Sequence, residues 1–203
     1  LNTVNKTWVL SRLAIEVEDM PKASDKFFVE TWVDSALRSF TSRNFKIVGE
    51  SGHVYGYGKS VWAMIDLDTR HPADILAVRG GLITEYIETE YPCPIEKSSR
   101  VKLSVGATPI RSIDTYYNDV DINGHINSVK YIEHVLDLWD VAWYKQHCIK
   151  RFEIAYVAES HQGDRLHFYR EGRDSDTDFD VRITKSNRDS AEVEVCRCRV
   201  QFV

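Results

Sequence analysis

The sequence predicts an α+β fold made of two related halves, each centred on a run of antiparallel strands. Three observations predict it. Apolar and polar residues alternate with a period of two over several short segments, as in half-buried strands. Those segments recur in the same order in both halves, an imperfect internal repeat. One stretch in the second half changes to helical spacing.

In the first half, strands are predicted near Trp8–Glu18, Lys26–Val33, Arg43–Val48 and Val54–Asp66. In the last of these Val61, Ala63 and Ile65 share one face, yet Trp62 and Met64 on the other face are also apolar. Such a strand is buried on both sides or bulged. Residues 69–108 read as a connector. It holds Pro72, Gly80-Gly81, Pro92 and Pro94 among Glu85, Glu88, Glu90 and Glu96, the mixture of breakers and like charge expected of a surface linker. It is too long for a featureless loop, so Ala73–Val78 or Thr84–Glu90 is expected to be helical.

The second half opens with an extra strand near Pro109–Tyr117 and a helix from about Asn127 to about His147. Val129, Ile132, Leu136, Trp139 and Trp143 form its apolar stripe. Asn127 can cap its start, and His147 and Lys150 suit its negative end. Strands follow near Lys150–Ala158, Arg165–Arg170, Thr177–Lys185 and Ala191–Val203. Phe179, Val181 and Ile183 face one way, and Asp178, Asp180 and Arg182 the other. The repeat is sharpest where Ser24-Asp25-Lys26-Phe27 matches Gly163-Asp164-Arg165-Leu166 at the same place in the strand order. Only seven residues precede Trp8, too few for a strand and helix like those of Pro109–Ile149. The native N-terminus is therefore expected to extend further, and the opening Leu1 fits a fragment or a processed form.

Composition narrows the function classes. Of 203 residues, 43% are hydrophobic and 28% charged, as in an ordinary globular chain. No apolar run is long enough for a membrane span, and no signal peptide is evident. A net charge of −5 with no basic stripe argues against a nucleic-acid partner. Cys93, Cys148, Cys196 and Cys198 form no C-x-x-C pair and read as small apolar side chains in a reducing compartment, the last two on one strand face.

The densest chemistry lies in Tyr117-Asn118-Asp119-Val120-Asp121-Ile122-Asn123-Gly124-His125-Ile126-Asn127, between a strand and the amphipathic helix. A carboxylate can act as general base or nucleophile, and a histidine titrates near neutral pH. The backbone N–H groups of Gly124 and His125, beside a helix start, could hold an oxyanion, and Gly124 would let a substrate approach closely. One His with two Asp is a poor metal-ligand set, so no metal or other cofactor is expected. Asn, Asp and Gly are equally the residues of turns and caps. On its own residues the segment reads either way, Asp119 reads as a turn residue or cap partner, and Glu159 as a strand-end charge. His134 reads as structural or exposed. His53, His71, His161 and His167 read as surface residues.

The run Asp121-x-Asn123-x-His125-x-Asn127, followed by Val129-Lys130-Tyr131, resembles the catalytic segment of the acyl-acyl carrier protein (acyl-ACP) thioesterases of plants and bacteria. Trp8-Val9-Leu10-Ser11-Arg12-Leu13 and Ser60-Val61-Trp62-Ala63-Met64 with Asp68-Thr69-Arg70 resemble stretches of the first domain of that family. The resemblance implies a tandem (double) hotdog, in which antiparallel sheets each wrap a central helix. The first hotdog would occupy 1–68, without its N-terminal strand and helix in this chain. The connector would be 69–108, and the second, catalytic hotdog 109–203.

It also implies a catalytic role for Asp121, Asn123, His125 and, from the strand after the helix, Glu159. Ser160 stands where many plant members have Cys, which disfavours a cysteine nucleophile. Counting back five residues from Asp25 gives Met20, where the second half has Glu159, so one site per chain is expected. Trp62 and Met64 are the candidates for an acyl tunnel.

The expected activity is hydrolysis of fatty acyl-ACP. The partner would be an acyl carrier protein bearing a phosphopantetheine-linked chain, docked on basic residues the sequence does not single out. A homodimer of double hotdogs is left open. Acyl-CoA hydrolysis or non-catalytic acyl binding are the alternatives. The expected compartment is the bacterial cytoplasm, with the plastid stroma as alternative.

Overall fold

The computed structural model describes residues 5–101, 103–104, 106–187 and 191–203. It divides into two compact units, Leu1–Ser98 and Ser99–Val203.

The first unit is a four-stranded antiparallel sheet: β1 (Lys6–Val17), β2 (Phe27–Ala36), β3 (Phe40–Gly49) and β4 (Val54–Asp66). β4 lies between β3 and β1, and β2 pairs with β3. No residue of β4 is exposed, which explains its apolar character on both faces. The strand is bulged as well: against β3 its register skips Tyr55, between Gly56 and Val54, and its other neighbour β1 slips between Leu10 and Arg12, opposite Trp62 and Val61. Gly56 is required opposite Val17 of β1, because a Cβ would come within 2.4 Å of the Glu16 carbonyl oxygen. Met64, Ala73 and Ile75 form a small core, with Trp8, Val78 and Ile83 packed on it.

The connector's helical turns overlap the second expected place at residues 84–86 and reach the first only at Val78. The Ala73 N–H donates to the Met64 carbonyl and the Ile75 N–H to the Arg38 carbonyl, at 2.8 and 2.7 Å. Residues 73–75 are thus tied to the sheet, and 3₁₀ turns follow at Val78–Tyr86 instead. Arg79, Gly80 and Gly81 take left-handed conformations inside that segment, so the glycines kink it without ending it. Of the connector, residues 102 and 105 lie outside the described residues.

The second unit is a five-stranded antiparallel sheet: β5 (Arg111–Asp114), β6 (Ile149–Tyr156), β7 (Arg165–Gly172), β8 (Asp178–Ser186) and β9 (Val193–Phe202), in the order β6-β9-β8-β7-β5. Its core is one sheet face. Ile154 pairs with Cys198, Cys198 with Val181, and Ile183 with Phe168, and all are buried. Cys196 and Cys198 are free thiols of this core, whereas Cys148 is exposed. Burial pushes both core thiols well above the ordinary range.

The expected long helix is two short ones, α1 (Ser128–Leu136) and α2 (Val141–Tyr144). Asp140 breaks it: its carboxylate accepts the Trp143 N–H at 2.8 Å and caps α2. Asn127 caps α1 as expected, accepting the Val129 N–H at 3.0 Å. The buried stripe is Tyr131, Val135 and Trp139, while Val129 is 53% exposed. Tyr131 meets Tyr156 of β6 edge-on, and Trp139 meets Phe179 and Phe202. Each such anchor contributes about 1.5–3 kcal/mol of burial. These contacts fix the N-terminus of α1, and with it the loop that precedes α1.

Candidate active site

The loop begins after β5 with a 3₁₀ turn, Tyr117–Asp119, and closes where Val120 bridges Ile126. Between them Asp121 organises five residues. Its N–H donates to the His125 carbonyl at 2.8 Å, and its carbonyl accepts the Gly124 N–H at 3.1 Å. Its Oδ1 accepts the N–H groups of Asn123 and His125 at 2.8 and 3.2 Å. Asn123 Nδ2 donates to Oδ2 at 3.4 Å. Gly124 closes the turn at φ +83°, with open space where a Cβ would be.

Partial burial pushes the Asp121 carboxyl up. The donated Asn123 and His125 amides, the Asn123 side chain and the His125 charge outweigh it, and the group sits below the ordinary carboxylate range.

Glu159 stands three residues beyond the end of β6. The Ile126 N–H donates to the carbonyl of the next residue, the buried Ser160, at 2.8 Å. That bond joins the two loops and brings Glu159 Oε2 to 3.5 Å from His125 Nε2. Both side chains remain partly open, 29% for His125 and 40% for Glu159. Thr115, itself buried, secures the far side: its hydroxyl donates to the His161 and Asp164 carbonyls and accepts the Gly163 N–H.

The structure therefore gathers Asp121, Asn123, His125 and Glu159 into one partly open site. It places the Gly124 and His125 amides differently from the oxyanion expectation. Both donate inside the loop, Gly124 to the Asp121 carbonyl at 3.1 Å and His125 to Asp121 Oδ1 at 3.2 Å. Two neighbours carry no sequence signal of their own. The His161 ring meets His125 edge-on at 5.1 Å. Asp119 is buried and faces His134. His167, expected at the surface, is half-buried between the Ser112 and Ser186 hydroxyls. Among the described residues no cluster of His, Cys, Asp and Glu is arranged to hold a metal ion. No helix among them is long and apolar enough to cross a membrane.

Trp62 and Met64 lie in the first unit, in the wall of a cavity of about 470 Å³ whose lining includes Trp8, Val33, Leu82 and Ile83. Its size and apolar character suit a small-molecule tail.

Family models described as acyl-ACP thioesterase N-terminal domain and C-terminal domain match residues 1–78 and 104–202. A chloroplastic palmitoyl-ACP thioesterase of Gossypium hirsutum is 26% identical over 187 residues, 90% of this chain and 45% of that protein. The chain thus spans about half the length of the curated relatives it matches. An acyl-ACP thioesterase of Bacteroides thetaiotaomicron superposes with a TM-score of 0.90 at 47% identity, covering 100% of this chain and 79% of that one. The 12:0-ACP thioesterase of Umbellularia californica shares the fold, with a TM-score of 0.83 at 21% identity over 100% of this chain and 77% of that one. These neighbours bear out the tandem hotdog architecture.

Proposed function

The chain belongs to the acyl-ACP thioesterase family, and from that premise we propose that it hydrolyses fatty acyl-ACP, releasing the free fatty acid. The observation that carries this reading is the His125–Glu159 pair, 3.5 Å apart and open to a substrate. Glu159 accepts a proton from water as the water oxygen bonds to the thioester carbonyl. The tetrahedral intermediate then expels the sulfur of the carrier's phosphopantetheine arm, and the proton that Glu159 took from water passes through His125 to that sulfur, which returns both side chains to their starting state. Water and thioester become acid and thiol, with no group left on the protein. Asp121, held ionised by its amide donors, keeps the loop in shape, and the Asn123 amide orients the carbonyl. Ser160, buried under the loop, takes no part as a nucleophile.

We assign the apolar cavity of the first unit to the acyl chain, with Trp62 and Met64 in its wall. Residues 69–108 serve as connector, and 109–203 form the catalytic domain. The carrier is an acyl carrier protein, and the compartment is the bacterial cytoplasm, in keeping with the Bacteroides relative. Matched panels of acyl-ACP and acyl-CoA test the reading. Faster hydrolysis of acyl-ACP is expected. Preference for acyl-CoA would move the protein to the other carrier, and tight acyl binding without hydrolysis of either would make it a binding protein.

A further inference from the structure

A second carboxylate–imidazole pair sits behind the first. Asp119 is only 7% exposed, and a buried carboxylate is costly unless its oxygens are engaged. Its Oδ2 accepts the Tyr116 N–H at 2.8 Å, and its carbonyl accepts the Asn127 N–H at 2.7 Å. Residues 116 and 127 are the two stems of the loop that carries Asp121, Asn123 and His125. Its remaining oxygen, Oδ1, lies 3.2 Å from Nε2 of His134. His134 is on α1, on the same face as the buried Tyr131 and Val135, and its ring packs edge-on against the fully buried Phe168 of β7. Asp119 thus binds both stems of the loop, one through its carboxylate and one through its carbonyl, and ties them to a side chain that the helix and sheet hold in place.

We propose that Asp119 and His134 are positioning residues, which set where the loop holds His125 and Asn123 relative to Glu159. The inference rests on the hydrolytic reading above. Without His134, Asp119 keeps its two backbone donors but loses its tie to α1, and the loop can shift as a body. Misplacement by about 1 Å costs on the order of 10²-fold in rate. Binding of the acyl chain and carrier does not depend on that placement, so the loss falls on kcat and not on KM.

The test compares His134→Phe, which keeps the packing against Phe168, with His134→Gln, whose amide can still reach Asp119, and with Asp119→Asn. Two readouts are taken on the full chain: kcat and KM for acyl-ACP, and amide hydrogen exchange at Asn123 and His125. Both of those N–H groups bond to Asp121, so exchange reports loop order with no turnover needed. His134→Phe is expected to lower kcat by on the order of 10²-fold at unchanged KM and to speed exchange at both amides. His134→Gln is expected to recover most of both losses. If His134→Phe does not fold, Asp119→Asn against His134→Gln decides by the same readouts. Wild-type kcat and exchange in folded His134→Phe would overturn the proposal, as would a Gln variant no better than Phe. If the wild-type protein hydrolyses no thioester, the functional reading fails, while the exchange data still decide whether the pair holds the loop.

Discussion

The turn ending at Asp25 and the turn ending at Asp164 are the same device made twice. In each, Asp Oδ2 accepts the N–H three residues back, Lys22 at 2.8 Å and His161 at 3.0 Å. In each, the Asp N–H donates to that same residue's carbonyl, at 3.0 and 3.2 Å. The residue before Asp is left-handed both times, Ser24 at φ 76° and Gly163 at φ 92°. Five residues upstream the likeness ends. Met20 is 66% exposed, whereas Glu159 faces His125. Among the described residues only the second unit has α-helices and a loop like 120–126. The turn is duplicated and its surroundings are not: the residue five back from the Asp meets an imidazole where the loop 120–126 carries one.

Exchange across the repeat is the strongest way to break this comparison. Glu159→Gln should slow acyl-ACP turnover by on the order of 10³-fold, the scale of a lost general base. Met20→Glu should neither slow it nor add activity, because among the described residues the first unit has no loop like 120–126 to meet it, and the His53 imidazole is held by the adjacent Asp19 at 3.1 Å. A second activity in Met20→Glu, measured in the Glu159→Gln background, would contradict the single-site reading.

Next in size is Asp121→Ala, which should cost on the order of 10²-fold by releasing the loop. Its pH behaviour has a definite sign. The folded Asp121 carboxyl lies below the ordinary range, so the unfolded chain takes up its proton at the higher pH. The stability it lends is complete at neutral pH and is lost as the pH falls through the folded value. Acid titration of the loop amides by NMR should show this loss, and in Asp121→Asn it should vanish.

Smaller effects compare the two turns directly. Asp164 is buried and also meets Lys185 at 3.2 Å, whereas Asp25 is exposed. Asp164→Ala should therefore destabilise by about 1–3 kcal/mol and Asp25→Ala by well under that, read from denaturant midpoints. Ser24 accepts a conformation that suits glycine, so Ser24→Gly should stabilise and Gly163→Ser destabilise, each by about 1 kcal/mol. A Ser24→Gly that does not stabilise, or a Gly163→Ser that does not destabilise, would mean the two turns differ in strain.

Much of the fold was legible because a period of two survives wherever one sheet face is buried. The span Val54–Asp66 was read to the residue, and Cys196 and Cys198 fell on the buried face as alternation requires. Helical periodicity was less faithful. The stripe through Val129 and Ile132 continues past Asp140 in sequence, but an Asp side chain that caps a new helix interrupts it. The loop of the candidate site stood out as a cluster of polar residue types that reads equally as a turn, and only the family resemblance singled out Asp121, Asn123, His125 and Glu159 within the sequence. What stayed hidden was pairing over distance. Asp119 with His134, and His125 with His161, are separated in sequence by intervals that mark no motif, and only packing brings them together. The use of the Gly124 and His125 amides was equally unreadable, because it depends on where Asp121 places its oxygens.

The central claim is that His125 and Glu159 act as one unit on the thioester. A double-mutant cycle of His125→Ala and Glu159→Gln, followed by acyl-ACP turnover in folded variants, tests it most directly. The account predicts that each single change removes most of the activity and that the double variant is little slower than the slower single one. Near-normal turnover in either single variant, or losses that multiply as for independent groups, would contradict it.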